Sequence, residues 1–242
     1  MPDWRDAAAV LGRKLKTTFS EQSDSFAAVV VGAPFSGHVE TLTALAGAAG
    51  WPVISPPSLQ QVLQADAGWL DFPTQARTPW VMPRLEKSFR RHERGLALVR
   101  RLLTESVSGR LGRGIIGCGS WAWAYLQKIA AEADVIAALT AQALDAQRLQ
   151  RWFSRNAAKG HQDGTFRFKP AEGSNELLSP RSAKDDAKED IDRFFTPLAA
   201  SSRGIAGVAW SVWRSALRRA AENPENDSKG ADPDDVIRVL PL

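Results

Sequence analysis

Five apolar residues, Ala27-Ala28-Val29-Val30-Val31, run without alternation into a turn bounded by Gly32 and Gly37, and a helix-forming stretch follows at once. A segment that is apolar at every position must be covered on both faces, as a central parallel strand is. The helix is expected from about Gly37 to Ala48, with Val39, Leu42, Leu45 and Ala46 on one side and Gly50 as its C-terminal cap. Strand, glycine turn and helix in that order begin a βαβ unit, and this restricts the chain to a small set of folds.

The following segments continue the alternation. Trp51–Ser55 reads as a second strand stopped by Pro56-Pro57, and Ser58 caps a short helix over Leu59–Ala65. Trp80-Val81-Met82 is a third strand, and Leu85–Leu103 is helical with an interruption expected at Gly95. Gly114–Cys118 is a fourth strand, with Ser120 as cap for a helix over Trp121–Ala131, and Val135–Leu139 is a fifth. An amphipathic helix over Trp4–Phe19 precedes them. Beyond, the pattern changes to helices over Leu144–Asn156, Asp185–Ala200 and Ile205–Ala221, with Thr165–Phe168 and Val236–Leu240 extended. The expected fold class is α/β: a parallel sheet with flanking helices, followed by a smaller helical lid. The expected domains are an N-terminal helix and linker (1–25), the α/β core (26–142), a lid (143–222) with a polar insertion (159–184), and a C-terminal extended segment (223–242).

The composition, 44% hydrophobic and 24% charged, is that of a folded globular chain. No apolar stretch reaches the roughly 20 residues of a membrane span. The N-terminus lacks the basic-then-apolar layout of a secretory signal, so a cytoplasmic location is expected. A single cysteine, Cys118, excludes an internal disulfide, and three scattered histidines with one cysteine argue against a structural zinc. There is no G-x-S-x-G elbow and no H-E-x-x-H pair. The acidic cluster Asp185, Asp186, Glu189, Asp190 and Asp192 opens a helix, where negative charge complements the dipole without any metal.

A phosphate-binding loop works by three means. A glycine turn aims backbone N–H groups at phosphate oxygens, a lysine opening the helix supplies a point charge, and the adjacent Ser or Thr hydroxyl ligates Mg²⁺. The segment Gly32-Ala33-Pro34-Phe35-Ser36-Gly37-His38-Val39 has the turn, but places His38 at the lysine position and Val39 at the hydroxyl position. Two spaced glycines alone also fit an ordinary strand–turn–helix connection. The segment resembles the Walker A motif of AAA+ and STAND ATPases, which implies that the α/β fold is a P-loop NTPase-like parallel sheet with flanking helices, followed by a smaller helical lid. Pro79–Glu86 falls where their Walker B strand would, with Pro83 replacing the metal-binding acid and Glu86 three residues late. Gly114–Ser120 is placed like their sensor-1 strand, with Ser120 as the polar candidate. Ala199–Arg214 resembles the lid near sensor 2, and Arg203 is the arginine carried over.

The resemblance implies ATP or ADP as ligand, bound through residues 32–39, Ser120 and Arg203. No catalytic residue is assigned beyond the candidate Glu86, and Mg²⁺ lacks its usual ligands. Three groups that stabilise phosphoryl transfer are replaced together, so little turnover is expected. The leading reading is therefore a degenerate module acting in regulation or protein interaction, with a protein partner or a second copy of itself. A second reading is an ATP-dependent enzyme or motor with a noncanonical site completed by Glu86 or a neighbouring subunit. The third is nucleic-acid binding through Arg84–Arg113: seven Lys/Arg lie between Arg84 and Arg101, followed by Arg110 and Arg113, a run that also fits a plain solvated helix face. Trp121-Ala122-Trp123-Ala124-Tyr125 reads as core packing or as a base-stacking or partner surface, with Trp121 and Tyr125 on one face and Trp123 elsewhere. Trp210 and Trp213 read as lid core, while His92 and His161 read as surface residues.

Overall fold

The computed structural model describes residues 3–21, 26–71, 78–159, 167–170, 177–178, 185–219 and 236–240. The chain forms two compact units, residues 3–141 and 142–242.

The first unit is a parallel sheet between two layers of helices. Its strands are β1 (Ala27–Gly32), β2 (Trp80–Met82), β3 (Gly114–Gly119) and β4 (Ala137–Thr140), in the order β2-β3-β1-β4. Period-two packing divides the strands between two cores. Ala28, Val30, Val81 and Ile115 pack with Leu42, Leu45 and Ala46 of α2 (His38–Ala49) and with Ala8 and Leu15 of α1 (Arg5–Glu21). Ala27, Val29, Trp80, Met82, Ile116 and Cys118 face the other way, onto Leu98, Val99 and Leu102 of α4 (Glu93–Val107) and Trp123 and Leu126 of α5 (Ser120–Ile129). Unbroken apolar runs at β1 and β3 are thus explained by helices on both faces, whereas edge strand β4 alternates in burial. The short helices α3 (Leu59–Gln64) and α6 (Glu132–Val135) complete this unit.

Several expectations hold in detail. Gly50 caps α2 in the left-handed region, and Ser58 forms a reciprocal capping box with Gln61. Others are corrected. The strand expected over Trp51–Ser55 is reduced to one parallel bridge, Val53 to Val81, flanked by Ile54 N–H donating to the Val81 carbonyl and Val81 N–H to the Pro52 carbonyl. Pro52, Pro56 and Pro57 have no N–H to extend the ladder. The helix expected over Leu85–Leu103 begins as a single 3-10 turn, Leu85–Lys87, breaks, and restarts at Glu93. The break lies before Gly95 rather than at it, because His92 accepts the Gly95 N–H on Nδ1 and becomes the N-cap. Ser120 is the first residue of α5 rather than its cap, which is Gly119.

The second unit packs α7 (Ala146–Lys159), α8 (Asp185–Ser202) and α9 (Ala206–Ala216) with a three-stranded sheet. Its strands are β5 (Arg167–Pro170), β6 (Leu217–Arg219) and β7 (Val236–Val239), with β7 in the centre. The helix expected to run to Ala221 ends at Ala216, where Leu217–Arg219 turns extended to pair with β7. Phe153, Phe168, Phe194, Phe195 and Trp213 fill the core, and Leu177 is fully buried after donating its N–H to the Phe168 carbonyl. His161 and the side chains of the acidic cluster opening α8 lie outside the described residues.

Candidate functional site

Parallel strands all end on the same side, and the crevice outside their carboxyl ends is where α/β sheets bind ligands. Gly32 ends β1, Gly119 ends β3, and the two are register partners. A cleft of about 460 Å³ opens there, lined by Gly32, Pro34, His38, Glu86, Phe89 and Arg90, with Arg91, Gly119, Ser120, Trp121 and Ala122 completing it. Every one of these residues belongs to the first unit.

The glycine loop forms one wall. Ser36 N–H donates to the Ala33 carbonyl, closing a turn with Pro34 and Phe35 in its centre. Phe35 has φ 63°, a left-handed conformation that costs a bulky residue strain, and its ring is 76% exposed. Gly37, with φ 78°, leads into α2, whose first N–H groups have no intrahelical acceptor. The indole of Trp4 lies against Gly37, so that a Cβ there would meet it at 2.1 Å. His38 and Ser36 fold back across Gly32, where a Cβ would stand 2.2 Å from His38 Nδ1 and 2.6 Å from Ser36 Oγ. The two side chains are bonded to each other, Oγ to Nδ1 at 3.1 Å.

Buried His38 Nε2 has no hydrogen-bond partner. Burial lowers the pKa of this imidazole, opposed by Glu86 and Glu40 and assisted by Arg84. The ring is therefore neutral at pH 7 and supplies no fixed charge. A lowered folded-state value means that the unfolded chain binds the proton more readily. The stability carried by the neutral ring is complete above the ordinary 6.5 and is lost as pH falls below that toward the lowered value. Urea midpoints measured from about pH 7.5 down to about pH 5 should fall more steeply for the wild type than for His38→Gln. Parallel profiles would show that His38 does not titrate in this way.

On the opposite wall, Glu86 faces the cleft from the 3-10 turn. Its Oε2 accepts the Gly119 N–H at 3.2 Å, which ties the segment after β2 to the end of β3. Phe89 stacks on Tyr125 and Arg91 lies 4.8 Å over the same ring. Trp121 is 78% exposed at the cleft, while Trp123 is buried in the core, the division expected from their helical spacing. Cys118 sits behind the cleft, where burial, with Glu86 adding to it, pushes its thiol pKa well up and removes any thiolate chemistry.

Mg²⁺ finds a poor set of donors here. Val39 has no side-chain oxygen, Pro83 carries no carboxylate, Ser36 Oγ is bonded to His38, and Glu86 is bonded to Gly119. Among the described residues no three His, Cys, Asp or Glu gather as a metal site. The residues present do not fit the metal in its usual place beside a phosphate loop.

Glu86, Ser120 and the loop residues Gly32, Pro34 and His38 thus come together on one cleft. Ala33, Phe35, Ser36, Gly37 and Val39 belong to the same loop and the first turn of α2. Arg203 belongs to the second unit, exposed in a left-handed turn with φ 53° between α8 and α9. Phe89, Arg90 and Arg91 are the residues that sequence reasoning did not place. A continuous helix from Leu85 would have spread them around its surface, and the signal available was the His92–Gly95 cap.

No protein-family model matches the chain, and no curated protein matches it in sequence. Its backbone is similar to that of the Thermotoga maritima RuvB Holliday junction branch migration motor, with a TM-score of 0.51 and 10% identity over 86% of this chain. The fold is that of a P-loop NTPase. The aligned part spans 62% of the motor's own length. Among the described residues, no helix is long and apolar enough to cross a membrane.

Proposed function

We propose that this chain is a degenerate AAA+/STAND-like P-loop protein, a cytoplasmic regulatory or protein-interaction module that binds ATP or ADP and hydrolyses it weakly or not at all. The observation that carries this reading is the cleft itself. A glycine loop at the end of a central strand forms one wall, yet a neutral His38 lies across its start and the opposing carboxylate is tied to a backbone amide. Phosphoryl transfer depends on fixed charges and positioned donors around the transferring group, and the loop, Val39 and Pro83 supply neither lysine nor metal ligand. In this reading Arg203 of the second unit is the arginine carried over from the sensor-2 resemblance. Regulation then works through a partner protein or a second copy of the chain.

Equilibrium binding of a fluorescent ATP analogue, run beside a turnover assay with Mg²⁺, tests the reading. The expected result is measurable binding with turnover at least about a hundredfold below one per second, the loss of two to four kcal/mol per missing group leaving little catalysis. Turnover near one per second that disappears in His38→Ala would establish an active ATPase or motor with a noncanonical site.

A second reading rests on the exposure of Arg84, Lys87, Arg90, Arg91, Arg94, Arg100, Arg110 and Arg113. A nucleic-acid backbone would meet such a surface, and its affinity for DNA would fall steeply with salt. Absence of binding at low salt in a filter assay eliminates it.

A further inference from the structure

Two arginines, Arg90 and Arg91, line the same cleft as the glycine loop, and neither forms an ion pair with a carboxylate among the described residues. Their position follows from the broken helix. Arg90 N–H donates to the Gly95 carbonyl, His92 N–H to the Arg90 carbonyl, and Gly95 N–H to His92 Nδ1. A Cβ on Gly95 would meet Arg90 Cβ at 2.7 Å and the Arg90 carbonyl oxygen at 2.8 Å, so the tight fold-back requires glycine there. Ser88, fully buried, anchors the start of the segment by donating its N–H to the Leu85 carbonyl.

Both guanidinium groups are held in place while keeping donors to spare. Arg90 Nη1 donates to the Phe89 carbonyl at 2.8 Å, and Arg91 stacks over Tyr125. A guanidinium carries five N–H donors in a planar fork suited to phosphate oxygens. Arg90 and Arg91 are the basic side chains and Glu86 the acidic one on the cleft wall, a formal surplus of one positive charge beside His38. Beside them, the exposed Trp121 indole offers a flat face of the kind on which bases stack.

We infer that Arg90 and Arg91 replace the missing lysine and metal: they bind the phosphate groups of a nucleotide without a divalent cation, and its base stacks on Trp121. This rests on the nucleotide-binding reading above and adds the groups that hold the ligand and the absence of a metal requirement. The ligand class is a free nucleoside di- or triphosphate. The affinity rises with phosphate number and falls with salt, because the arginines meet phosphates as charges.

The test is equilibrium binding of ATP, ADP, AMP and adenosine to the full chain, in EDTA and in Mg²⁺, for the wild type, the double variant Arg90→Gln/Arg91→Gln, and Trp121→Ala. All three side chains are exposed, and circular dichroism checks that each variant folds. The wild type is expected to bind equally well in EDTA, with ATP tightest and adenosine weakest. The double variant should lose at least tenfold for ATP, while its ranking of the four ligands collapses and its salt dependence flattens. Trp121→Ala should weaken all four by a similar factor and keep the ranking. Binding only in Mg²⁺, or an unchanged ranking in the double variant, overturns the inference and leaves the nucleotide reading standing. No binding of any of the four by the wild type removes both.

Discussion

Gly117→Val is expected to lower the melting temperature of the first unit by roughly 6–12 °C. Gly117 faces α2 and the chain leaving β2, where an added Cβ would stand 2.3 Å from the Pro83 carbonyl oxygen and 2.6 Å from Leu42 Cδ1. A flexible side chain could yield, but a backbone carbonyl next to a fully buried strand cannot move without taking β2 with it. Overpacking of this kind costs about 1–3 kcal/mol, and the upper end applies when backbone must shift. Each kcal/mol corresponds to roughly 2–4 °C for a chain of this size. Because Pro83 leads into Glu86 and the arginine segment, nucleotide affinity should fall together with stability. Scanning calorimetry with parallel ligand titrations checks both. A melting shift under about 2 °C would mean that the contact at Gly117 relaxes freely.

The second large effect concerns the other unit. Phe153 is 1% exposed and packs against Phe195, Trp210 and Trp213, with ring centroids 4.9–6.0 Å apart. Phe153→Ala should cost about 3–5 kcal/mol, the usual penalty for emptying a buried aromatic site. Small units have only about 5–15 kcal/mol in reserve, so the second unit should melt well before the first. Near-ultraviolet circular dichroism from its tryptophans would report that transition. At a temperature where only the second unit is unfolded, nucleotide binding separates two possibilities. Retained affinity shows that the cleft of the first unit suffices, and lost affinity shows that Arg203 or its neighbours contribute.

The strand–turn–helix at Ala27–Ala49 and the α/β class were legible because they depend on local periodicity. An unbroken apolar strand requires cover on both faces, and the glycines and the capping box at Ser58 act within a few residues. The apolar residues at Trp51–Ser55 favour a strand, but the segment makes a single bridge because Pro52, Pro56 and Pro57 lack the N–H donors that would extend it. In the second unit the segments of β5 and β7 read as extended, whereas β6 lies inside the stretch expected as helix, and the pairing of the three has no local signal. Four residues apiece at most, they exist only because distant segments pair.

For the cleft, the sequence by itself determined that His38, Val39 and Pro83 stand where the Walker resemblance implies a lysine, a hydroxyl and a carboxylate. Only the tertiary structure decided what stands in their place. It folded His38 and Ser36 over Gly32, tied Glu86 to Gly119, and brought Arg90, Arg91 and Trp121 to the cleft that the loop lines. The physical reason is the helix break at residues 88–92. That break arises from one side-chain cap and one close backbone approach, and both are contacts in space that no hydrophobic period records.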